Sequence, residues 1–307
     1  MTSIQYKSVF APGLFDGQIA LITGGGTGLG RCIAHELAGL GATVIIAARR
    51  KEPLEETCRE VQAAGGKIHY YLANIREEAS VDALIDSIVT DHGKLDMLVN
   101  NAGGQFLSPA ENVSVRGFAT VLELNAVGTW TVCRAAYLKW FKRHGGRIVN
   151  ITADFWQGFP LMVHTGAARA AVDNLTKTLA REWGPSGVRI NSVAPGTIIS
   201  SGMKNYPLPV QQLVSETFQS QNPSGRLGTE SEVSSAVVWL LSPGASYVNG
   251  ASIRVDGASS LAKGSMVDFP ESASIASYSG FAKEEMGMRD IPELFQGLLK
   301  SYRSSKL

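Results

Sequence analysis

With 307 residues, of which 44% are hydrophobic and 18% charged, the chain suits a folded protein with a large apolar core, which excludes wholesale disorder. Its formal net charge of +1 gives no general attraction to nucleic acid or to a membrane surface, and we expect neither as a partner. No apolar run is long enough to span a bilayer, and no cluster of residues has the spacing of metal ligands, so we expect no metal site.

Apolar strand patterns alternate with amphipathic helical patterns along most of the chain. Strands are predicted at 19–23, 43–47, 68–72, 97–100, 148–151, 190–193 and 252–255. Helices are predicted at 28–40, 52–64, 81–91, 118–143, 167–183 and 230–241. Continuous apolar strands separated by helices are typical of a parallel sheet covered on both faces. With right-handed crossovers, the pattern predicts an α/β fold, in which one doubly wound Rossmann domain is followed by a C-terminal tail.

We divide the chain into an extension at 1–14, a Rossmann-type domain at 15–257 and a tail at 258–307. Within the domain, the segment 200–225 follows the carboxyl end of a strand, where ligands of such sheets bind, and it is predicted to be a substrate lid. The chain ends in Ser305-Lys306-Leu307, which would direct it to the peroxisomal matrix in a eukaryotic host. In a bacterium we expect a cytoplasmic protein.

A glycine-rich turn joins the first predicted strand to the first predicted helix. Such a turn lets the backbone approach a pyrophosphate, which then lies at the positive end of the helix dipole. The residues predicted to bind a dinucleotide here are Thr23, Gly24, Gly26, Thr27, Gly28, Leu29 and Gly30.

The end of the second predicted strand indicates which dinucleotide is bound. Ala48 stands where an acidic residue would accept a hydrogen bond from the ribose of NAD, and Arg49 and Arg50 follow it. Because a guanidinium can pair with a 2′-phosphate, we predict NADP(H) as the cofactor. The alternative is that both arginines are solvated side chains at the start of a helix.

Further cofactor contacts are expected at the carboxyl ends of other strands. Asn74 is placed to bond the adenine edge, and the Asn101-Ala102-Gly103 segment to run beneath the adenosine and ribose. The full set of further predicted contacts is Asn74, Ile75, Asn101, Ala102, Gly103, Pro195 and Gly196. Ordinary turn chemistry is the alternative explanation, because Asn and Gly are favoured in turns regardless of function.

Together these motifs resemble the short-chain dehydrogenase/reductase family over about 15–257. A closer similarity, to peroxisomal trans-2-enoyl-CoA reductases and more distantly to 2,4-dienoyl-CoA reductases, is carried by Asn100–Ala110, by Gly158–Leu161 and by His164–Arg169. The resemblance implies NADPH-dependent reduction of the carbon-carbon double bond of trans-2-enoyl-CoA thioesters. It also implies a homo-oligomer, a tetramer or a dimer, with the long helices at 118–143 and 167–183 between subunits.

The chain departs from this family in its catalytic segment. Asn125 is retained, but the Y-x-x-x-K positions hold Thr165 and Arg169, and the serine position falls at Thr152 or Ala153. A displaced register of the same motif would place Asp173 and Lys177 at the tyrosine and lysine positions. That second register remains open as an alternative.

The missing tyrosine and lysine disfavour the usual carbonyl chemistry, because an arginine stays protonated and a threonine hydroxyl is a poor acid. Reduction of a double bond conjugated to a thioester needs hydrogen-bond donors at the thioester oxygen instead, and water can supply the later proton. We therefore predict Thr152 and Thr165 as donors and Arg169 as a positive charge near the nicotinamide ribose. Asn125 is expected to organise a helix break and a bound water.

Residues around the predicted reacting atoms are open to two interpretations. His164 is interpreted as a capping or core group, and an acid catalyst is the alternative. An apolar wall for the acyl chain is predicted from four aromatic residues in loops, for which loop packing is the alternative: Phe106, Phe155, Trp156 and Phe159. Two other functions remain open for the whole protein. One is an oxidoreductase of the same family for dienoyl-CoA, ketone, alcohol or isoprenoid-type substrates, and the other is a nucleotide-binding protein without turnover.

Overall fold

A computed structural model describes residues 8–201, 222–261, 278, 280 and 281. The predicted lid at 200–225 lies outside the described residues for most of its length, and so do most of the tail at 258–307 and the terminal Ser305-Lys306-Leu307. The structure therefore leaves the division of the chain into an extension, a domain and a tail as a prediction.

Seven parallel strands form the central sheet. Their order across the sheet is β3-β2-β1-β4-β5-β6-β9. They are β1 (Ile19–Thr23), β2 (Thr43–Ala48), β3 (Lys67–Leu72), β4 (Met97–Asn100), β5 (Gly146–Ile151), β6 (Val188–Pro195) and β9 (Ser252–Val255). Two short strands, β7 (Ile198–Ile199) and β8 (Gly228–Thr229), pair separately beyond the carboxyl end of β6. The predicted fold class, a doubly wound parallel sheet, is confirmed.

Helices cover both faces of this sheet. They are α1 (Gly28–Gly39), α2 (Lys51–Ala63), α3 (Glu78–His92), α4 (Val115–Leu122), α5 (Gly128–Ala136), α6 (Lys142–His144), α7 (Val163–Trp183) and α8 (Glu230–Leu241). The helix predicted at 118–143 is continuous from α4 to α6, but two π-turns, Glu123–Val127 and Tyr137–Phe141, widen it. None of the helices in the described ranges is long and apolar enough to cross a membrane.

The core is divided between the two faces because successive side chains of a strand point in opposite directions. Ile22 and Ile46 pack with α1, α2 and α8, whereas Leu21 and Ile45 pack with α3, α5 and α7. Burial on both faces explains why the strands read as continuous apolar runs. The three cysteines are all buried, and burial raises the pKa of the Cys133 thiol to about 12.

The order of the strands determines where a ligand can bind. The connection from β1 runs to β2 on one side, and β4 lies on the other side of β1, so the winding direction reverses between β1 and β4. Thr23 at the end of β1 is in register with Ala47 of β2 and Asn100 of β4. A crevice beyond the carboxyl ends of these strands is where open α/β sheets bind their ligands.

Candidate active site

The backbone of the glycine-rich turn between β1 and α1 adopts angles and close contacts that a side chain would prevent. Gly24 and Gly28 have φ of 68° and 57°, in the left-handed region that favours glycine. A Cβ at Gly30 would overlap the Gly24 carbonyl and the Asn101 amide. In the ranges that the structure describes, no side chain caps the N-terminus of α1. This close backbone approach to an uncapped helix N-terminus fits the pyrophosphate of a dinucleotide.

Thr23 and Asn101 hold this turn against the loop that follows β4. The Thr23 hydroxyl accepts hydrogen bonds from the backbone N–H groups of Asn101 and Ala102, both at 3.1 Å. The Asn101 side chain donates to the carbonyls of Thr23 and Gly24 at 3.0 and 3.2 Å. Both side chains therefore build the floor of the predicted cofactor site, and their contribution to binding would be indirect.

The predicted phosphate-binding arginines follow β2. Arg49 and Arg50 are exposed, and neither makes an ion pair or hydrogen bond with another residue in the described part of the chain. Ala48 is the last residue of β2 and offers no carboxylate to a ribose hydroxyl. Two exposed guanidinium groups beside the dinucleotide turn, unpaired among the described residues, fit a 2′-phosphate.

The predicted adenine contacts are occupied by local bonds. The Asn74 side chain donates to Glu77 Oε1 at 2.5 Å and accepts from the Arg76 N–H at 3.3 Å. The Ile75 side chain is buried, and a Cβ at Gly128 of α5 would meet it at 2.8 Å. A direct contact between the Asn74 amide and adenine would require the Glu77 bond to be exchanged. Both residues remain predictions as cofactor contacts.

Asn125 lies in the first π-turn and is completely buried. Its amide donates to the carbonyls of Gly104 and Val121 at 2.8 and 2.9 Å, and its oxygen accepts from the Gly104 N–H at 3.2 Å. The helix therefore widens at this residue, whereas the sequence led us to expect a break. The physical reason is that the Asn125 side chain is hydrogen-bonded to the backbone of Gly104. In addition, the Thr129 hydroxyl donates to the Asn125 backbone carbonyl at 2.9 Å.

Arg169 lies on α7, one turn beyond Thr165, and is 7% exposed. Its Nη1 donates to the Ile151 carbonyl at 2.8 Å, and a Cβ at Gly103 would overlap its Nη2. No carboxylate among the described residues pairs with it. Burial lowers the pKa of the guanidinium to about 10, so it remains charged at neutral pH. The structure thus brings Asn125, Gly103 and Arg169 together at the predicted nicotinamide end.

The two threonines predicted as donors bond within the protein. The Thr152 hydroxyl donates to the Val193 carbonyl at 3.1 Å, and the Thr165 hydroxyl lies 3.1 Å from His164 Nδ1. Both residues are nearly inaccessible to solvent. Their role as donors to a substrate stays a prediction, and it requires these bonds to be exchanged.

The imidazole of His164 is bonded at one nitrogen only. Its Nδ1 accepts the backbone N–H of the next residue, Thr165, at 2.8 Å, whereas the N-cap position of α7 is Met162. Its Nε2 is buried without a hydrogen-bond partner among the described residues, and the Phe106 ring lies 4.3 Å from the imidazole between ring centres. Burial lowers the pKa of His164. The burial fits the interpretation as a core group, and the local bond accounts for one nitrogen and leaves the other unexplained.

The displaced register of the catalytic motif gives an ion pair inside one helix. Lys177 Nζ lies 2.6 Å from Asp173 Oδ2, one helical turn apart on α7. The Lys177 side chain is 56% exposed, whereas that of Asp173 is 8% exposed. These two residues therefore lie beyond Arg169 along the helix and satisfy each other's charge.

The four aromatic residues of the predicted apolar wall divide into two pairs. Phe155 and Trp156 stack at 4.4 Å, and the Arg254 guanidinium lies 4.0 Å from the centre of the Trp156 ring. Phe106 lies against His164, and Phe159 lies beside Gly166 on α7. The first pair packs against Arg254 of β9, and the second two residues lie against the start of α7.

A carboxyl pair near Pro195 and Gly196 was missed in the sequence. The Asp154 N–H donates to the Pro195 carbonyl at 3.2 Å, and a Cβ at Gly196 would meet Asp256 Cα at 2.8 Å. Burial and the neighbouring Asp256 charge raise the pKa of Asp154, which accepts a hydrogen bond from the Ser259 hydroxyl at 3.2 Å. The position of Asp154, directly beyond the end of a strand, was the available signal.

Known proteins are similar to this chain in both sequence and fold. A family model described as enoyl-(acyl carrier protein) reductase matches residues 24–259. The peroxisomal 2,4-dienoyl-CoA reductase of Danio rerio is 38% identical over 267 residues, covering 86% of this chain and 88% of that protein. The probable 2,4-dienoyl-CoA reductase of Bacillus subtilis (strain 168) is 38% identical over 240 residues, covering 77% and 94%. Among solved structures, the citronellol catabolism dehydrogenase (AtuB) of Pseudomonas aeruginosa PAO1 is 46% identical with a TM-score of 0.75, covering 83% of this chain and all of that one.

Proposed function

We propose that this chain, a member of the short-chain dehydrogenase/reductase family, uses NADPH to reduce a carbon-carbon double bond conjugated to the thioester of an acyl-CoA. The matched family model and the curated relatives confirm the predicted membership, and with it that the protein is an oxidoreductase with a nicotinamide cofactor. The substrate and the choice of NADPH are our proposals.

Arg169 is the observation that carries the proposal. A buried guanidinium without a carboxylate is costly unless the bound state brings it negative charge or hydrogen-bond acceptors. It stands where the family has a lysine beside a tyrosine, and Thr165 offers no phenol. A reaction that places negative charge on an oxygen but needs no strong acid at that oxygen suits this pair of residues.

The cofactor fits the residues that the fold brings together. Gly24, Gly28 and Gly30 would admit the pyrophosphate to the N-terminus of α1, and Arg49 and Arg50 would pair with a 2′-phosphate. When bound, the reduced nicotinamide supplies a hydride to the conjugated double bond. Arg169, under Gly103, would hold the ribose and add positive potential, while Asn125 keeps the Gly104 loop in place.

The relatives support a 2,4-dienoyl thioester as the substrate to test first, because two matched proteins are named for that activity. A trans-2-enoyl thioester, the expectation from Asn100–Ala110 and His164–Arg169, stays a prediction. A branched, isoprenoid-type thioester is a second candidate, supported by the 46% identity to the citronellol catabolism dehydrogenase. All three substrates share a double bond conjugated to an activated carbonyl.

The test uses the purified full chain with NADPH and a panel of 2,4-dienoyl-CoA, trans-2-enoyl-CoA, branched enoyl-CoA and ketone substrates. The expected result is loss of reduced-nicotinamide absorbance with one or more of the conjugated thioesters and not with ketones. Turnover of ketones alone would favour ordinary carbonyl chemistry. Binding of NADPH without turnover of any substrate would favour a nucleotide-binding protein.

Assembly and compartment belong to the same proposal. Val127, Trp130 and Leu138 are 51%, 38% and 52% exposed around α5, one of the helices expected between subunits. Apolar side chains of this size at the surface favour a homo-oligomer, a dimer or a tetramer, which light scattering after gel filtration would measure. The compartment follows the host, since the matched relatives include a peroxisomal protein and a bacterial one.

A further inference from the structure

His164 carries a polar atom that the fold leaves without a partner. The residue is 0% exposed, and its Nε2 makes no hydrogen bond to any residue that the structure describes. A buried donor or acceptor without a partner costs about 1–3 kcal/mol, so such atoms are rare unless a ligand completes them. The neighbouring Thr152 and Thr165 hydroxyls both bond inside the protein, whereas His164 Nε2 has no such bond to the described residues.

The bonds at the other nitrogen determine which form of the imidazole is present. Nδ1 accepts the Thr165 N–H at 2.8 Å, and a nitrogen that accepts from a backbone N–H cannot itself carry a proton. The ring is therefore neutral with its proton on Nε2. Burial lowers the pKa of His164, which favours the same neutral form. A neutral imidazole at a helix N-terminus acts as a hydrogen-bond donor and not as an acid.

The position of His164 matches the reaction proposed above. It is the second residue of α7, five positions before Arg169, beyond the carboxyl ends of the strands. The Phe106 ring lies 4.3 Å away and is 41% exposed, so one partly exposed side chain lies over the imidazole. Displacement of this ring would open the imidazole to an acyl thioester.

We infer that His164 is a catalytic residue whose Nε2–H donates a hydrogen bond to the thioester oxygen of the substrate, a role that rests on the proposed function. Negative charge builds on that oxygen as the conjugated double bond is reduced, and a fixed donor stabilises it. The hydride adds to the β-carbon of an enoyl thioester or to the δ-carbon of a dienoyl thioester, and the electron pair moves to the oxygen. Water then protonates the α-carbon, so His164 keeps its proton throughout.

Two substitutions of His164 distinguish the contribution of its N–H donor from that of its aromatic ring. His164→Phe keeps an aromatic ring against Phe106 and removes the N–H, so kcat for the best thioester of the panel is expected to fall about 10²–10³-fold with little change in KM. His164→Gln keeps an N–H donor and is expected to recover at least part of that loss. His144→Phe, the same replacement at an exposed histidine beside the amino end of β5, is the matched control and is expected to leave kcat unchanged.

The tautomer is measured without turnover. Long-range proton–nitrogen NMR of the NADP⁺-bound full chain is expected to show the His164 signals, assigned by their loss in His164→Gln, as the neutral Nε2–H form at pH 7. Hexanoyl-CoA, a saturated thioester, is expected to shift the Nε2 proton downfield. Coenzyme A without an acyl group is expected to leave it unchanged.

The outcomes for His164 and for the proposed function are distinct. Thioester turnover by the wild type with an equal kcat in a folded His164→Phe variant would overturn the inference and leave the function standing. An Nδ1–H tautomer, or an Nε2 proton unmoved by hexanoyl-CoA, would also overturn the inference, and the latter would mean that the N–H rests against the Phe106 ring. If the wild type reduces no thioester, the proposed function fails, and the hexanoyl-CoA shift decides separately whether His164 binds a thioester oxygen.

Discussion

Beside β1, the crevice is shaped by residues that lack side chains, whereas beside β5 it is shaped by buried polar side chains. Gly24 and Gly30 allow backbone to lie against backbone, and Thr23 with Asn101 locks that arrangement in place. At the other end, Arg169 and His164 each keep hydrogen-bonding capacity that the described residues do not use. We propose the first region as the cradle of the nicotinamide cofactor and the second as the part that the substrate completes. The second is also the region in which this chain lacks the tyrosine and lysine of the family.

The charge on Arg169 gives the sharpest test of this difference. Arg169→Met removes a buried charge, and kcat is expected to fall about 10²–10³-fold, as when one stabilising donor is lost from an active site. Stability is expected to change little or to rise, because replacing an unpaired buried charge with an apolar side chain often stabilises a protein. Steady-state kinetics and a thermal melt check the two expectations.

Two further variants control this experiment. Arg169→Lys keeps the charge and is expected to recover most of the rate. Arg134→Met removes an exposed arginine of α5 that pairs with Glu78 at 2.7 Å, and it is expected to change neither rate nor affinity. A kcat for Arg169→Met within threefold of wild type would show that the charge of Arg169 does not stabilise the transition state.

Adding one methyl group at Gly30 tests whether the glycine turn binds the cofactor. A Cβ at Gly30 would overlap the Gly24 carbonyl and the Asn101 amide, and overpacking of this kind costs about 1–3 kcal/mol. Gly30→Ala is therefore expected to weaken NADPH binding roughly tenfold to hundredfold, measured by fluorescence titration. Gly39→Ala at the other end of α1, where a Cβ would make ordinary contact with Phe281 at 3.7 Å, is the matched control and is expected to bind normally. Equal affinity of both variants for NADPH would show that the glycine turn does not bind the cofactor.

The arginines after β2 distinguish the two nicotinamide cofactors. The double substitution Arg49→Ser with Arg50→Ser is expected to weaken NADPH binding roughly tenfold to hundredfold and to leave NADH binding unchanged, because a hydrogen bond to a charged group contributes about 1.5–3 kcal/mol. Arg59→Ser, at an exposed position of α2, is the control. An equal loss for both cofactors would contradict recognition of the 2′-phosphate.

Thr165 is expected to give the smallest effect. Its hydroxyl lies 3.1 Å from His164 Nδ1, while the Thr165 backbone N–H makes the shorter bond of 2.8 Å to the same atom. Thr165→Val keeps the backbone bond, so kcat is expected to fall less than about threefold and stability by about 1 kcal/mol. A loss of rate as large as that of His164→Phe would restore Thr165 as the donor.

The strands and helices were predictable because their signal is local. The apolar run at 19–23 and the helical spacing at 52–64 match β1 (Ile19–Thr23) and α2 (Lys51–Ala63) to within a residue. The π-turn at Asn125 was not predictable, because the bonds that widen the helix come from Gly104, 21 positions earlier in the chain. Local spacing determines the period of a helix but not the partners that distort it.

The sequence by itself determined the parallel sheet, the glycine turn for a dinucleotide and the absence of a tyrosine and lysine pair, because each is written in the spacing or identity of neighbouring residues. Only the tertiary structure decided which polar atoms remain available for chemistry. The Thr152 hydroxyl donates to the Val193 carbonyl, 41 positions away, whereas within the described ranges Arg169 pairs with no carboxylate and His164 Nε2 has no partner. Hydrogen-bond partners that lie far apart in the chain meet only when the sheet and its helices have assembled, and so no local pattern records them.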